Sequence, residues 1–151
     1  MRCACFACAG VFVRPSGESL RVVTRARRLA AAVDDADWRA LRLPVAIASF
    51  RRSTSGGVSA HVPGPGGTTA SRLADGAWAA LRERHPALPA IEPEVEAVVL
   101  SRLDGADGAY LVSIDLCYRL AGILRTRWRG IAGGEDARAA LASFFAELPA
   151  P

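Results

Sequence analysis

Two pairs of short apolar segments, each joined by a five-residue turn, restrict this chain to folds built on antiparallel hairpins. Residues 44–50 (Pro-Val-Ala-Ile-Ala-Ser-Phe) and 58–62 (Val-Ser-Ala-His-Val) flank Ser-Thr-Ser-Gly-Gly at 53–57. Residues 95–100, rich in β-branched side chains, and 110–114 flank Asp-Gly-Ala-Asp-Gly at 104–108. Glycine and Asp at such reversals supply the backbone conformations a turn requires, so each pair reads as a β-hairpin.

Helical signals fall between and after the hairpins. Asp34 or Asp35 caps a first helix with Trp38 and Leu41 on its inner face, and Pro44 stops it by withholding a backbone donor. Residues 63–69 (Pro-Gly-Pro-Gly-Gly-Thr-Thr) read as a loop leading to a helix over 71–84, whose Ala74, Ala77, Trp78 and Leu81 share a face. Asp115 caps a long helix reaching about Arg129, with an inner stripe of Leu116, Cys117, Leu120, Ile123, Leu124 and Trp128; Gly130 ends it. Gly133 and Gly134 introduce a last helix with Ala137, Leu141, Phe144, Phe145 and Leu148 at helical spacing. A short strand is expected over 20–24, after a turn at 14–17. The order β-α-ββ-α-ββ-α-α predicts an α+β domain: a mostly antiparallel sheet from two hairpins, with helices packed on one side.

The composition narrows function by exclusion. Hydrophobic residues make up 51% of the 151, enough for a core and too many for a disordered chain. A net charge of +4 invites a nucleic-acid reading, but all 19 basic residues are Arg, and Lys, Asn and Gln are absent. That skew, with abundant Ala, Gly and Pro, fits a GC-biased coding sequence. The arginines are also dispersed, with short pairs at 27–28 and 51–52, which argues against a phosphate-tracking surface. The apolar stretch 3–13 lacks Leu and follows only one Met and one Arg, unlike a signal peptide. No run approaches the roughly 18 apolar residues of a membrane span. A cytoplasmic protein without membrane association is expected, with thiols kept reduced.

The sharpest chemical feature is Cys3-Ala-Cys5-Phe-Ala-Cys8. A Cys-x-x-Cys spacing lets two thiolates converge on one ion, but tetrahedral zinc takes four ligands and no second pair follows. The cluster is open between a thiolate site for zinc or iron and three incidental small residues. A redox reading lacks the βαβ pattern it needs. Cys117 lies on an inner helical face as a small buried thiol, and His61 and His85 match no ligand spacing. The glycines at 64–67 precede the expected helix over 71–84, where amides can hold an anion, but a Walker loop needs a Lys and a connecting loop is the simpler reading. Residues 57–61 (Gly-Val-Ser-Ala-His) form no nucleophile elbow; alternation in a strand explains them. Glu92, Glu94 and Glu96 can pair carboxylates or solvate a strand edge, the second being simpler. Tyr118, Arg125 and Arg129, with Gly122 between and Arg119 beside them, lie opposite the apolar stripe of the long helix. That face suits a protein partner or a small anion, against the alternative of an ordinary solvated surface.

Several blocks in order carry a resemblance: residues 41–45 (Leu-Arg-Leu-Pro-Val), 92–96 (Glu-Pro-Glu-Val-Glu), 110–115 (Tyr-Leu-Val-Ser-Ile-Asp), 117–120 (Cys-Tyr-Arg-Leu), 128–130 (Trp-Arg-Gly) and 133–135 (Gly-Gly-Glu). Together they resemble an uncharacterised bacterial family associated with nickel–iron hydrogenase gene clusters. The likeness implies an accessory role in assembly, maturation or electron transfer, with hydrogenase subunits or maturation factors as partners. It also implies an upstream Cys-x-x-Cys that this chain lacks, with Cys5 and Cys8 as the second pair of a zinc-ribbon-like or rubredoxin-like knuckle and Cys3 as a substitute ligand. Residues 1–19 are then the remnant of a cysteine-rich knuckle ahead of a single α+β domain over 20–151. Either the start was assigned too late or this member has lost the first pair. The competing function is a binding module or enzyme for a small anionic ligand held by Arg119, Arg125 and Arg129. A nucleic-acid-binding zinc module is a third.

Overall fold

The computed structural model describes residues 2–4, 20–22, 25–43, 45–130 and 133–148. Strands β1 (Arg2–Ala4) and β2 (Leu20–Val22) pair in parallel, Cys3 opposite Arg21, as a two-stranded sheet of their own. The expected strand at 20–24 is present over Leu20–Val22; residues 23–24, the turn at 14–17 and Pro44 lie outside the described residues.

The main sheet has six strands, every neighbouring pair antiparallel. In chain order they are β3 (Arg27–Leu29), β4 (Ile47–Arg52), β5 (Val58–Gly64), β6 (Gly67–Arg72), β7 (Glu96–Ser101) and β8 (Gly108–Ser113). In space they run β3-β8-β7-β4-β5-β6. Four helices among the described residues accompany them: α1 (Asp35–Leu41), α2 (Ala77–Arg84), α3 (Ile114–Arg127) and α4 (Gly134–Ala146). The α+β class and both hairpins agree with the sequence reading. No helix among the described residues is long and apolar enough to cross a membrane.

The helices divide between the two faces rather than packing on one side. Side chains alternate along the central strands, and both sets are buried. Ala48, Phe50, Val98, Leu100, Ala109 and Leu111 meet Trp38 and Leu41 of α1 and Leu81 of α2. Ile47, Ala97, Val99, Tyr110 and Val112 meet Cys117, Leu120 and Leu124 of α3 and Leu141, Phe144 and Phe145 of α4. Aromatic pairs sit in each layer: Phe50 stacks on Trp78 at 4.9 Å, and Tyr110 meets Phe145 at 5.0 Å. The physical reason is in β7, whose six residues are all buried and so need a cover on each side.

A second correction concerns residues 63–76. The expected loop is instead a tight reversal at Pro65 and Gly66, with Gly64 opposite Gly67, and β6 returns along β5. The β4 ladder ends at His61, so from Val62 onward β5 is paired on one edge only and tolerates Pro63. The helix then starts at Ala77 after Gly76 in the left-handed region, leaving Ala74 exposed. A third difference is at α3, where the N-cap is Ser113 rather than Asp115. The hydrogen bond from Ile114 N to Val95 O carries β8 directly into the helix and fixes where it starts. Asp115 lies in the first turn, where its charge complements the helix dipole.

Asp34 caps α1 in a reciprocal box with Asp37. Asp37 is itself buried and binds the end of α2: Arg84 Nε donates to Oδ1 at 2.7 Å, and His85 Nε2 lies 2.5 Å from Oδ2. A carboxylate only accepts, so Nε2 carries the hydrogen. Trp38 Nε1 ties the same helix to the segment leading into β4 through the carbonyls of Leu43 (3.1 Å) and Val45 (2.8 Å). Burial alone raises the Asp37 carboxyl, but hydrogen bonds from His85, Arg84 and the Asp34 amide, with the charge of His85, hold it below its ordinary range.

Asp37→Asn should therefore lower stability to denaturant by about 2 kcal/mol at neutral pH. A depressed carboxyl contributes above its unfolded value, near 3.8, and ceases to contribute as pH falls through the folded value. The difference between wild type and variant should shrink in acid. A difference unchanged down to about pH 2 would show that the clasp is not ionic.

Candidate functional site

The α3-covered face of the sheet is apolar over β7 and β8 and turns polar over β4 and β5. Directly opposed residues share a face, so register places the side chains. One row crosses the sheet as Ala97, Arg51, Ser59 and Arg72; the next as Val99, Ser49, His61 and Ala70. Cys117 and Tyr118 of α3 meet this face from above: the Arg51 guanidinium carbon lies 5.1 Å from the Tyr118 ring centroid, and Ser49 and Arg51 are the polar side chains that act on the Cys117 thiol. Ser59 Oγ and His61 Nε2 are 3.0 Å apart, and Ser49 Oγ donates to the His61 carbonyl at 3.2 Å.

Cationic character dominates the cluster. Burial lowers the His61 imidazole, and the Arg51 charge lowers it further, so it stands neutral near pH 7. Burial also pushes the Cys117 thiol up, against the opposing pull of Arg51 and its hydrogen bonds to Ser49 and Arg51. A protonated, buried thiol is a poor nucleophile, in agreement with the inert reading of Cys117. Arg51 Nε is buried and has no hydrogen-bond acceptor.

The predicted partner face is split by the helix. Tyr118 leans toward β4, whereas Arg119 turns to α4, where its Nη2 donates to Glu147 Oε2 at 2.7 Å and its guanidinium lies over Phe144. Arg125 is exposed on the Tyr118 side of the helix, three residues beyond Gly122, and open space surrounds the position of a Cβ at Gly122. Arg129 sits past the helix end, its amide bonded to the Gly133 carbonyl and its Nη1 to the Trp128 carbonyl. The structure thus aligns Tyr118, Gly122 and Arg125 and separates Arg119 from them. Tyr118 remains 62% exposed.

Cys3 is placed by its backbone in β1, and Cys5 and Cys8 lie outside the described residues. Among the described residues no group of three His, Cys, Asp or Glu side chains converges as a metal site. The glycines at 64–67 form the β5–β6 reversal, away from any helix start, so the anion reading of that loop is withdrawn. Glu92 and Glu96 come together differently from a carboxylate pair: Glu96 Oε2 accepts from the Glu92 amide at 3.1 Å. A cleft of about 410 Å³ lies over the Asp37 clasp, lined by Asp34, Ala36, Ala40, Arg84 and His85. Its charged groups are bonded to one another, which makes it a joint between α1 and α2.

Sequence reading missed the Arg51 cluster. The available signal was the polar alternation Ser49/Arg51 and Ser59/His61 in two otherwise apolar strands, which converges only once the hairpin register is known. Alkylation of the folded protein followed by peptide mapping should leave Cys117 unmodified, with labelling appearing only in denaturant. Prompt labelling in the native state would refute the buried-thiol assignment.

No curated protein and no solved structure matches the chain. Residues 1–151 match the family described as Family of unknown function (DUF5947). The match covers the entire sequence, and the chain belongs to that DUF5947 family.

Proposed function

We propose that the domain is a non-enzymatic accessory module that receives an acidic protein surface on the Tyr118–Gly122–Arg125 stripe of α3. The observation that carries this reading is the stripe itself. Tyr118 is the large hydrophobic side chain most exposed among the described residues, and Arg51 beneath it holds its ring. Gly122 costs an exposed helix about 1 kcal/mol relative to Ala. It leaves a notch one turn from Tyr118, with Arg125 beyond. Tyr and Arg are the residue types that anchor interfaces, and a notch admits close approach of a partner's chain. The Arg residues favour an acidic partner.

Two further parts of this proposal rest on the resemblance. The partner class is a nickel–iron hydrogenase subunit or maturation factor, and Cys3, Cys5 and Cys8 contribute to a zinc or iron thiolate site. Arg129 extends the docking face beyond the helix end. The competing anion clamp of Arg119, Arg125 and Arg129 is weakened by the pairing of Arg119 with Glu147.

Gly122→Ala separates docking from folding. It should raise thermal stability while reducing recovery of a tagged hydrogenase assembly in pull-down, and Arg125→Glu should reduce recovery further. Recovery unaffected by both variants would remove the docking face. Elemental analysis of the purified chain should find zinc or iron that Cys5→Ser loses. Absence of metal from a chain extended upstream would end the thiolate reading.

A further inference from the structure

We infer that the half-buried cluster of Arg51, Ser59 and His61, beside Tyr118, binds a tetrahedral oxyanion of the phosphate or sulfate class. The inference concerns the floor beneath Tyr118 and does not depend on a protein partner docking above it.

The first observation is an unsatisfied donor. Arg51 Nε is shielded from solvent and has no acceptor, a state that costs about 1–3 kcal/mol for a neutral group and more for a charged one. Buried polar groups in folded proteins almost always have partners, so an orphan needs an explanation. The second is the absence of a counter-charge. Ion pairs among the described residues join Arg84 and His85 to Asp37, Arg102 to Asp35, and Arg119 to Glu147; none involves Arg51. A half-buried guanidinium beside the Tyr118 ring and the buried Cys117 thiol has part of its hydration removed and no negative charge paired with it.

The third is the arrangement of neighbouring groups. Ser59 stands directly across from Arg51 and directly across from Arg72, so two arginines flank one hydroxyl in a single row. His61 is two residues along the same strand, already bonded to that hydroxyl. Arg51, Ser59 and His61 are half-buried and Arg72 is exposed, so the row opens to solvent at the β6 side. These donors are spread over three neighbouring strands. That spread matches an anion with oxygens in several directions better than a planar carboxylate. Burial and Arg51 keep His61 neutral in the free protein, and an adjacent dianion works against both by attracting the imidazolium charge.

The chain contains two histidines, so His85, held by Asp37 on the opposite face, serves as an internal reference. Imidazole NMR signals would be followed during titration with inorganic phosphate, with sulfate, and with a phosphomonoester, at constant ionic strength set by chloride. The expected result is a saturable shift of the His61 resonances and an upward move of its titration midpoint, with His85 unmoved. Arg51→Met, which keeps the aliphatic stem, should weaken binding by about tenfold or more. Ser59→Ala should weaken it several-fold, and Arg119→Met should leave it unchanged. Binding of the phosphomonoester but not of free phosphate would identify the source as an esterified ligand within the same class. The inference is overturned if His61 does not respond, or responds equally in Arg51→Met. Should Arg51→Met fail to fold, undiminished binding by Ser59→Ala overturns it.

Discussion

The structure depends on a sheet whose centre is apolar on both faces. Every residue of β7 is buried, and β8 alternates apolar side chains toward opposite sides. Such strands cannot border water on either surface, so the chain must supply two helical covers. It does so with α1 and α2 on one side and α3 and α4 on the other. The anchoring of each cover follows from this demand. Asp37 and Trp38 join α1 to α2 and to the segment leading into β4, while the carbonyl of Val95 takes the first amide of α3 where β8 ends. Where the apolar rows give out, over β4 and β5, α3 still crosses the sheet, and polar side chains lie beneath it.

Local signals made most elements legible. The turns at 53–57 and 104–108, the capping Asp34, and the stripes that include Leu124 and Phe145 each carry their chemistry within a few residues. The failures occurred where a local pattern competed with a longer-range one. Ala74, Ala77, Trp78 and Leu81 form a helical stripe, yet residues 67–72 had a stronger outlet in pairing with β5. The two-sided burial of β7 was written in the run Ala97-Val98-Val99-Leu100, whose lack of alternation marks a strand covered twice. The polar cluster was less legible, because Ser49, Arg51, Ser59 and His61 meet Cys117 only through register and helix placement. Cys5 and Cys8, the sharpest sequence feature, fall outside the described residues.

Helix α3 shows how one element can serve core and surface at once. Cys117, Leu120 and Leu124 close the hydrophobic layer, and side chains one position away leave it in different directions. Successive residues are separated by about 100° around the axis, so Tyr118 faces β4 while Arg119 faces α4. Charge on the two flanks consequently differs. The α4 flank balances Arg119 with Glu147, whereas the β4 flank presents Arg51 with no carboxylate partner among the described residues. A face read from sequence as one surface is two surfaces of different electrostatic character.

The seam between β4 and β7 has a consequence for how the chain reaches this state. Pairs β4–β5, β5–β6 and β7–β8 are hairpins between neighbours in sequence, but Arg51 meets Ala97 only after roughly 45 intervening residues have been gathered in. Closing that loop costs about 2 kcal/mol more in chain entropy than closing the 53–57 turn. Two locally formed sheets, β4-β5-β6 and β7-β8, can thus exist before either has a neighbour along the seam. Joining them is the event that buries both faces of β7. Slow, non-local assembly is concentrated at one line through the middle of the molecule, and until it is crossed neither helical layer has a complete surface to cover.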